Sequence, residues 1–211
     1  MFVTDFWFEF LHCHSLLHRD LKPKNIGFDR NGILKVFDFD VSRVVPYSKE
    51  GDDKCFHLTA KIGSLRYMSP EVSQGRPYNL KADVYSFGLL VYQILSLKTP
   101  YQGMSREDMN LKVMTNGQRP SIPKALKKSP CLSTFLQSCW SERISERPNM
   151  KTAREMLETT ILPSILAKVN KTVDDLSLVT TVTEAGTEYT SSDSVLTDDD
   201  TFSEYCDGDC F

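Results

Sequence analysis

The chain has 211 residues, 40% hydrophobic and 25% charged, which fits a soluble globular protein with room for one ordinary domain and a tail. Its longest apolar run, residues 87–92, is far shorter than the roughly 20 residues a membrane helix needs, so no membrane-spanning helix is expected. The net charge of -3 hides a division: residues 172–211 hold 11 acids and no Lys or Arg, which leaves 25 basic and 17 acidic residues in 1–171, a net of +8.

The opening MFVTDFWFEFL is aromatic, but it lacks a basic n-region and a small-residue cleavage site and carries Asp5 and Glu9. It reads as part of an amphipathic helix, not as a secretory signal. Residues 1–17 are then the cut-short end of a helix leading into HRDLKPKN at 18–25. His12, Cys13 and His14 are metal-ligating residue types, but adjacent helical positions point away from one another, which favours ordinary packing. Residues 26–37 change character: IGF, DRNG and ILKVF are two short β-prone runs around Asn31 and Gly32, the pattern of a hairpin with a tight turn. A two-residue turn at Asn31-Gly32 sets Arg30 against Ile33 and Asn25 against Asp38, with an amide oxygen and a carboxylate about 5 Å apart at the open end of the hairpin. Two hard oxygen donors so placed suit Mg2+, which takes a few protein oxygens and completes its shell with phosphate oxygens and water.

Residues 84–97, VYSFGLLVYQILSL, are apolar almost all round and predict a helix buried on most sides, with Asn79 as its cap. A second helix is expected over 107–114, with Ser105 as cap and Asn116-Gly117 as stop; a third over 131–140; and a fourth over 150–161, ending before Pro163. The expected fold class is mainly α with one small β-hairpin. From residue 168 onward Thr, Ser, Asp and Glu replace the apolar pattern, and such a segment cannot bury enough apolar surface to offset its ordering entropy. Residues 168–211 are therefore expected to form a disordered acidic tail. Cys13, Cys55, Cys131, Cys139, Cys206 and Cys210 contain no CxxC pair, which argues for reduced thiols and a cytoplasmic location. The lysines of the basic body are dispersed and no nucleic-acid motif is present, so neither nucleic acid nor membrane is an expected partner. Nothing in the sequence sets an oligomeric state.

The ordered motifs HRDLKPKN (18–25), VFDFD (36–40), GSLRYMSPE (63–71) and ERP (146–148) resemble those of the C-terminal lobe of a eukaryotic-type protein kinase, over about residues 8–162. CW at 139–140 and RPSIPKAL at 119–126 are similar to the tyrosine-kinase-like group of serine/threonine kinases. The resemblance implies a kinase C-lobe over 18–167, with an activation segment at 38–71, acting to transfer the γ-phosphate of ATP to Ser or Thr of a protein substrate. It implies that Asp20 accepts or orients the substrate hydroxyl, that Lys22 sets a cation near the transferring phosphate, and that Ser64 supports both. Asn25 and Asp38 would hold Mg2+ on the ATP phosphates. Lys22 is the usual choice of serine/threonine kinases, so that acceptor class is favoured. His18, Arg19, Phe39, Glu71, Asp83 and Arg147 take structural roles: Phe39 packs into the core beside His18, Glu71 forms a buried ion pair with Arg147, and Asp83 accepts hydrogen bonds from the backbone around His18 and Arg19. Thr59, twelve residues before Glu71, is the regulatory phosphosite candidate, with Arg19 as partner of the phosphate and an activating kinase as its source. Ser42, Tyr47 and Ser48 are weaker choices.

Three features depart from the family pattern. Asp40 occupies the glycine of D-F-G, where a side chain restricts the backbone and adds repulsion near Asp38. Gly27 stands where the family places a bulky apolar residue under the adenine ring, and losing that contact costs about 1 to 2 kcal/mol if nothing else fills the gap. No G-x-G-x-x-G loop, V-A-I-K lysine or partner glutamate precedes residue 18, so the N-lobe is expected to be absent and the isolated chain to have negligible activity, the family activity belonging to a longer parent. The competing reading is a pseudokinase-like or truncated protein-binding module without catalysis. In the tail, Thr197 before Asp198, Asp199 and Asp200 resembles an acceptor for acid-directed kinases, against the plainer reading of a solvating extension.

Overall fold

In the computed structural model, which describes residues 7–46 and 53–167, the chain enters through α1 (Trp7–Cys13). This short helix buries Phe8 and Leu11, and the Phe8 ring lies 5.6 Å from that of Phe87. A bend at Ser15, with φ 55, then leads into β1 (Leu16–Leu17). Leu17 is fully buried, and the catalytic-type stretch HRDLKPKN follows directly, closing with a 3-10 turn at Pro23–Asn25.

β2 (Ile26–Phe28) and β3 (Leu34–Val36) form the expected hairpin, but the turn differs from the predicted one. The strands pair Ile26 with Val36, Gly27 with Lys35 and Phe28 with Leu34, so Asn25 lies opposite Phe37 and the predicted pairing of Asn25 with Asp38 is one residue out. The cause is Asp29. Its carboxylate accepts from the backbone N–H of Asn31 and of Ile33, each at 2.9 Å, and its own N–H donates to the Ile33 carbonyl at 2.9 Å. Asp29 and Ile33 thus face each other across a three-residue loop, with Gly32 at φ 75. That is a turn followed by a left-handed glycine, and it competes with the two-residue turn wherever an Asp can bond its own downstream backbone. The hairpin is held to α1 by the Trp7 indole N–H, which donates to the Leu34 carbonyl at 2.8 Å.

Past the hairpin, β4 (Arg43–Val44) returns antiparallel to β1, and Phe56 pairs in a single bridge with Tyr78. α2 (Pro70–Ser73) starts with a proline that pre-sets the first helical φ. Leu17, Val45, Met68, Val72, Tyr78 and Ala82 enclose a small second core beneath these segments.

α3 (Lys81–Ser96) is the central helix, buried without interruption from Ala82 to Tyr92, which matches its all-round apolar sequence. Asn79 stands one residue before the Leu80 cap position, and its side chain accepts from the Lys81 N–H at 3.0 Å. α4 (Arg106–Asp108) runs into a π turn over Met109–Thr115, and Ser105 caps it by accepting from the Asp108 N–H at 3.1 Å. α5 (Lys124–Lys127) is a single turn. α6 (Pro130–Cys139) crosses α3 at a point where a Cβ on Gly88 would lie 2.5 Å from the Cβ of Cys139. Only glycine allows that approach. α7 (Met150–Met156), capped by Asn149, packs on α1 and is tied to it by Arg154 and Glu9. A π turn over Leu157–Ile161 follows, and helical backbone continues to residue 167, so the predicted stop before Pro163 does not occur. The π turn ends two residues before the proline, whose missing N–H cannot close an ordinary helical bond.

The described residues fall within one unit, Met1–Lys168; the expected acidic tail over 168–211, with Thr197, lies outside the described residues, as do Tyr47 and Ser48. No helix among the described residues is long and apolar enough to cross a membrane.

Candidate active site

The site is built where the stretch 18–25 meets the first turn of α3 and the segment 63–64. Asp83 anchors it. Only 1% exposed, its carboxylate accepts from the backbone N–H of His18 at 2.8 Å and of Arg19 at 2.9 Å, with the His12 ring nitrogen 3.3 Å away. Two successive N–H groups converge on one carboxylate where Arg19 turns through φ 68, a conformation uncommon for a residue other than glycine. The turn presents Asp20 on the far side.

Asp20 is buried, and donors from Lys22, Ser64 and Asn25 hold it. Lys22 Nζ donates to Oδ2 at 2.7 Å, the Ser64 N–H donates to Oδ1 at 2.8 Å, and Asn25 Nδ2 donates to the Asp20 carbonyl at 2.9 Å and to Oδ2 at 3.3 Å. Lys22 also donates to Ser64 Oγ at 3.0 Å, so lysine and serine clamp the acid together. Burial works against the charged form of Asp20, yet the hydrogen bonds from Lys22 and Ser64 and the lysine charge outweigh it and hold the carboxyl below its ordinary range. Gly63 makes the clamp feasible. It sits at φ 89, and a Cβ there would lie 2.2 Å from the Arg19 carbonyl.

His18, fully buried, links this loop to the hairpin: its Nδ1 accepts from the Asp20 N–H at 3.3 Å, so its Nε2 donates to the Phe37 carbonyl at 3.0 Å. The Phe37 N–H donates in turn to the Asn25 carbonyl at 2.8 Å. Asp38 is the next residue, exposed, at φ 62, and among the described residues its carboxylate has no hydrogen-bond partner. Asn25 spends its Nδ2 on Asp20, which leaves its Oδ1 as an acceptor. The Asn25 amide oxygen and the Asp38 carboxylate, on either side of one backbone hydrogen bond, are both hard oxygen donors, the type that divalent cations such as Mg2+ and Ca2+ take. His12 and His14 do not contribute, since His12 faces Asp83 and His14 Nδ1 bonds the Phe10 carbonyl.

Phe39 lies beside His18, with ring centroids 5.0 Å apart, but it is 43% exposed and does not enter the core as expected. The left-handed conformation in this stretch falls on Asp38, while Asp40 sits in a turn closed by Ser42 N–H to the Phe39 carbonyl at 2.9 Å. The backbone at 40 therefore makes no demand for glycine in this arrangement.

Glu71 and Arg147 meet in a two-pronged ion pair at 2.6 and 2.9 Å, each residue 1% exposed. Arg147 further donates to the Ser141 and Lys81 carbonyls and stacks on the Tyr85 ring, 5.2 Å from its centroid. Burial opposes the Glu71 charge, but Arg147 more than offsets it and the carboxyl titrates below its ordinary range. Arg19 does not reach the Thr59 side chain: its Nε donates to the Val41 carbonyl and its Nη1 to the Tyr78 hydroxyl at 3.3 Å, and that hydroxyl donates to the Thr59 carbonyl at 2.8 Å. Thr59 itself is exposed. Tyr78 and Phe37, which the sequence reading did not single out, are thus wired into the site. Their signal lay only in position, Phe37 immediately before the acid and Tyr78 five residues before Asp83.

The protein kinase domain model matches residues 7–160. The chain is 36% identical to the serine/threonine-protein kinase STY46 of Arabidopsis thaliana, across 71% of this chain and 24% of that kinase. It is 32% identical to the serine/threonine/tyrosine-protein kinase HT1 of the same plant, across 71% of this chain and 36% of that kinase. With the RGS domain-containing serine/threonine-protein kinase A of Dictyostelium discoideum it shares 32% identity, across 74% of this chain and 13% of that kinase. The chain therefore spans about a third or less of the length of these relatives. By the match of its motifs and of most of its length, the chain belongs to the protein kinase family.

Proposed function

We propose that this chain carries the substrate-side half of an ATP- and Mg2+-dependent protein serine/threonine kinase, with residues 18–167 as C-lobe and 38–71 as activation segment. The observation that carries the reading is the cluster in which Lys22, Ser64 and Asn25 all bind Asp20. A carboxylate held ionised and immobile is suited to orient an incoming hydroxyl and to take its proton as the bond to phosphorus forms. The Lys22 ammonium, fixed between Asp20 and Ser64, places a positive charge where transferring phosphate develops negative charge. Asn25 Oδ1 and the Asp38 carboxylate are the residues that would hold Mg2+, whose chemistry is to neutralise the phosphate oxygens. The protein acts in the cytoplasm on a protein substrate, and an activating kinase modifies Thr59.

A catalytic reading is favoured over a purely binding module because both departures at 27 and 40 are accommodated: Phe37 lies beside Gly27, and Asp40 occupies a turn that tolerates a side chain. The 211 residues contain no glycine-rich phosphate loop or V-A-I-K lysine, so transfer is to be measured after joining such a segment ahead of Trp7. Supplied with labelled ATP and mixed peptides, that protein is expected to label Ser and Thr, and Asp20→Asn to lower the rate by about 100-fold or more. Label arriving on Tyr alone, or transfer indifferent to Asp20→Asn, overturns the proposal.

A further inference from the structure

Tyr78 is a fully buried side chain to which the phosphate-transfer reading gives no role. Its ring packs with Leu17, Val45, Met68, Val72 and Ala82 in the second core, and its backbone exchanges two hydrogen bonds with Phe56, at 2.9 and 3.0 Å. Phenylalanine would meet those demands equally well. The hydroxyl is the part they do not explain: it accepts from Arg19 Nη1 at 3.3 Å and donates to the Thr59 carbonyl at 2.8 Å. A hydroxyl accepts and donates at once, so it joins a donor to an acceptor that phenylalanine would leave apart.

Both ends of that link lead to Asp20. Arg19 is its neighbour in the chain, held by its N–H on Asp83 at 2.9 Å and by its Nε on the Val41 carbonyl. From Thr59 the chain takes five residues to reach Ser64, whose N–H donates to Asp20 Oδ1 at 2.8 Å. On the way it turns left-handed twice, at Lys61 (φ 55) and Gly63 (φ 89), with the Lys61 N–H on the Val72 carbonyl at 3.0 Å. Glycine takes such a turn freely, but for lysine it is a strained conformation that persists only where its flanks are fixed. Tyr78 fixes the flank before Lys61, and Asp20 the flank after it.

We propose that Tyr78 is a positioning residue: its hydroxyl closes a circuit from Asp20 through Arg19, Thr59 and Lys61 to Ser64, and so keeps the Ser64 N–H on the Asp20 carboxylate. The proposal rests on the reading of Asp20 as the acid that orients the acceptor hydroxyl, and adds to it a residue that aligns its serine support from outside the site.

Amide exchange followed by NMR in the 211-residue chain tests the circuit without any need for phosphate transfer. Tyr78→Phe keeps the ring and deletes the hydroxyl, and is expected to speed exchange of the Ser64 N–H by about ten-fold. The Phe56 N–H, bonded to the Tyr78 carbonyl, and the amides of α3 should keep their wild-type rates, whereas a hydroxyl serving stability alone would speed all of them together. Wild-type exchange at Ser64 in the folded variant, or an equal rise at Ser64, Phe56 and α3, overturns the inference. If Tyr78→Phe does not fold, the wild-type chain decides: the Tyr78 hydroxyl proton should exchange slowly and couple across its hydrogen bond to the Thr59 carbonyl carbon. A hydroxyl exchanging as fast as that of an exposed tyrosine overturns the circuit. In the protein lengthened ahead of Trp7, Tyr78→Phe should lower kcat by about ten-fold with the KM for MgATP unchanged. An unchanged kcat overturns this inference alone. A wild-type lengthened protein that transfers no phosphate overturns the reading of Asp20, while the exchange result still judges the circuit.

Discussion

Glu71→Gln removes a charge from a site where nothing else can replace it. Arg147 is 1% exposed and its guanidinium is committed to two Glu71 oxygens and to the Ser141 and Lys81 carbonyls. Glutamine keeps the shape and one acceptor, but presents an amide N–H₂ to an arginine N–H and strands a buried cation. Breaking such a pair from one side costs about 3 to 5 kcal/mol, which is a large share of the roughly 5 to 15 kcal/mol that holds a domain folded. Urea unfolding followed by circular dichroism measures it. The double variant Glu71→Gln with Arg147→Met should be less destabilised than the sum of the two single changes, because each single change leaves the other group unpaired. The pH dependence has a definite sign. Glu71 has a folded-state pKa below its unfolded value, so the pair contributes fully above the ordinary glutamate range and its contribution is lost as pH falls through the depressed folded value. Glu71→Gln should flatten that acid limb. A loss under about 1 kcal/mol in neutral buffer, or strictly additive variants, would refute the assignment of a desolvated, mutually dependent pair.

Gly88→Val should overpack the α3–α6 crossing, where a Cβ already meets Cys139 at 2.5 Å, and lower stability by about 1 to 3 kcal/mol in the same unfolding assay. Gly63→Ala forces a methyl to 2.2 Å from the Arg19 carbonyl and should separate the Ser64 N–H from Asp20, seen as loss of phosphate transfer in the lengthened protein together with a lowered melting temperature. Phosphorylation at Thr59 is expected in active protein, since its side chain is exposed while its carbonyl is tied through Tyr78 to Arg19; peptide mapping that finds Thr59 always unmodified would remove it as the switch.

Local chemistry was legible where a single residue decides it. Ser105 and the buried stretch of α3 could be read directly, because a cap and an apolar helix are set within a few residues. The hairpin was half legible. Asn31-Gly32 marked a turn, but Asp29 captured two downstream N–H groups and moved the register by one, replacing Asp38 with Phe37 opposite Asn25. Pairings that bridge long separations left no periodic trace, such as β1 with β4 or Arg19 through Tyr78 to Thr59. Nor does a pattern of apolar letters reveal that Phe39 stays 43% exposed or that Gly27 and Phe37 fit one another. Those depend on which neighbours fill a given volume, and only packing reports that.

Whether Asn25 and Asp38 share one cation next to Asp20 is tested most directly by paramagnetic broadening of the isotope-labelled chain on titration with Mn2+ and ATP. The backbone signals of Asp20, Asn25 and Asp38 should vanish first, and the double variant Asn25→Ala with Asp38→Ala should abolish that order of loss. Signals at these three positions that persist while others broaden, or equal broadening in the double variant, would place the cation elsewhere and contradict a phosphate-transfer centre here.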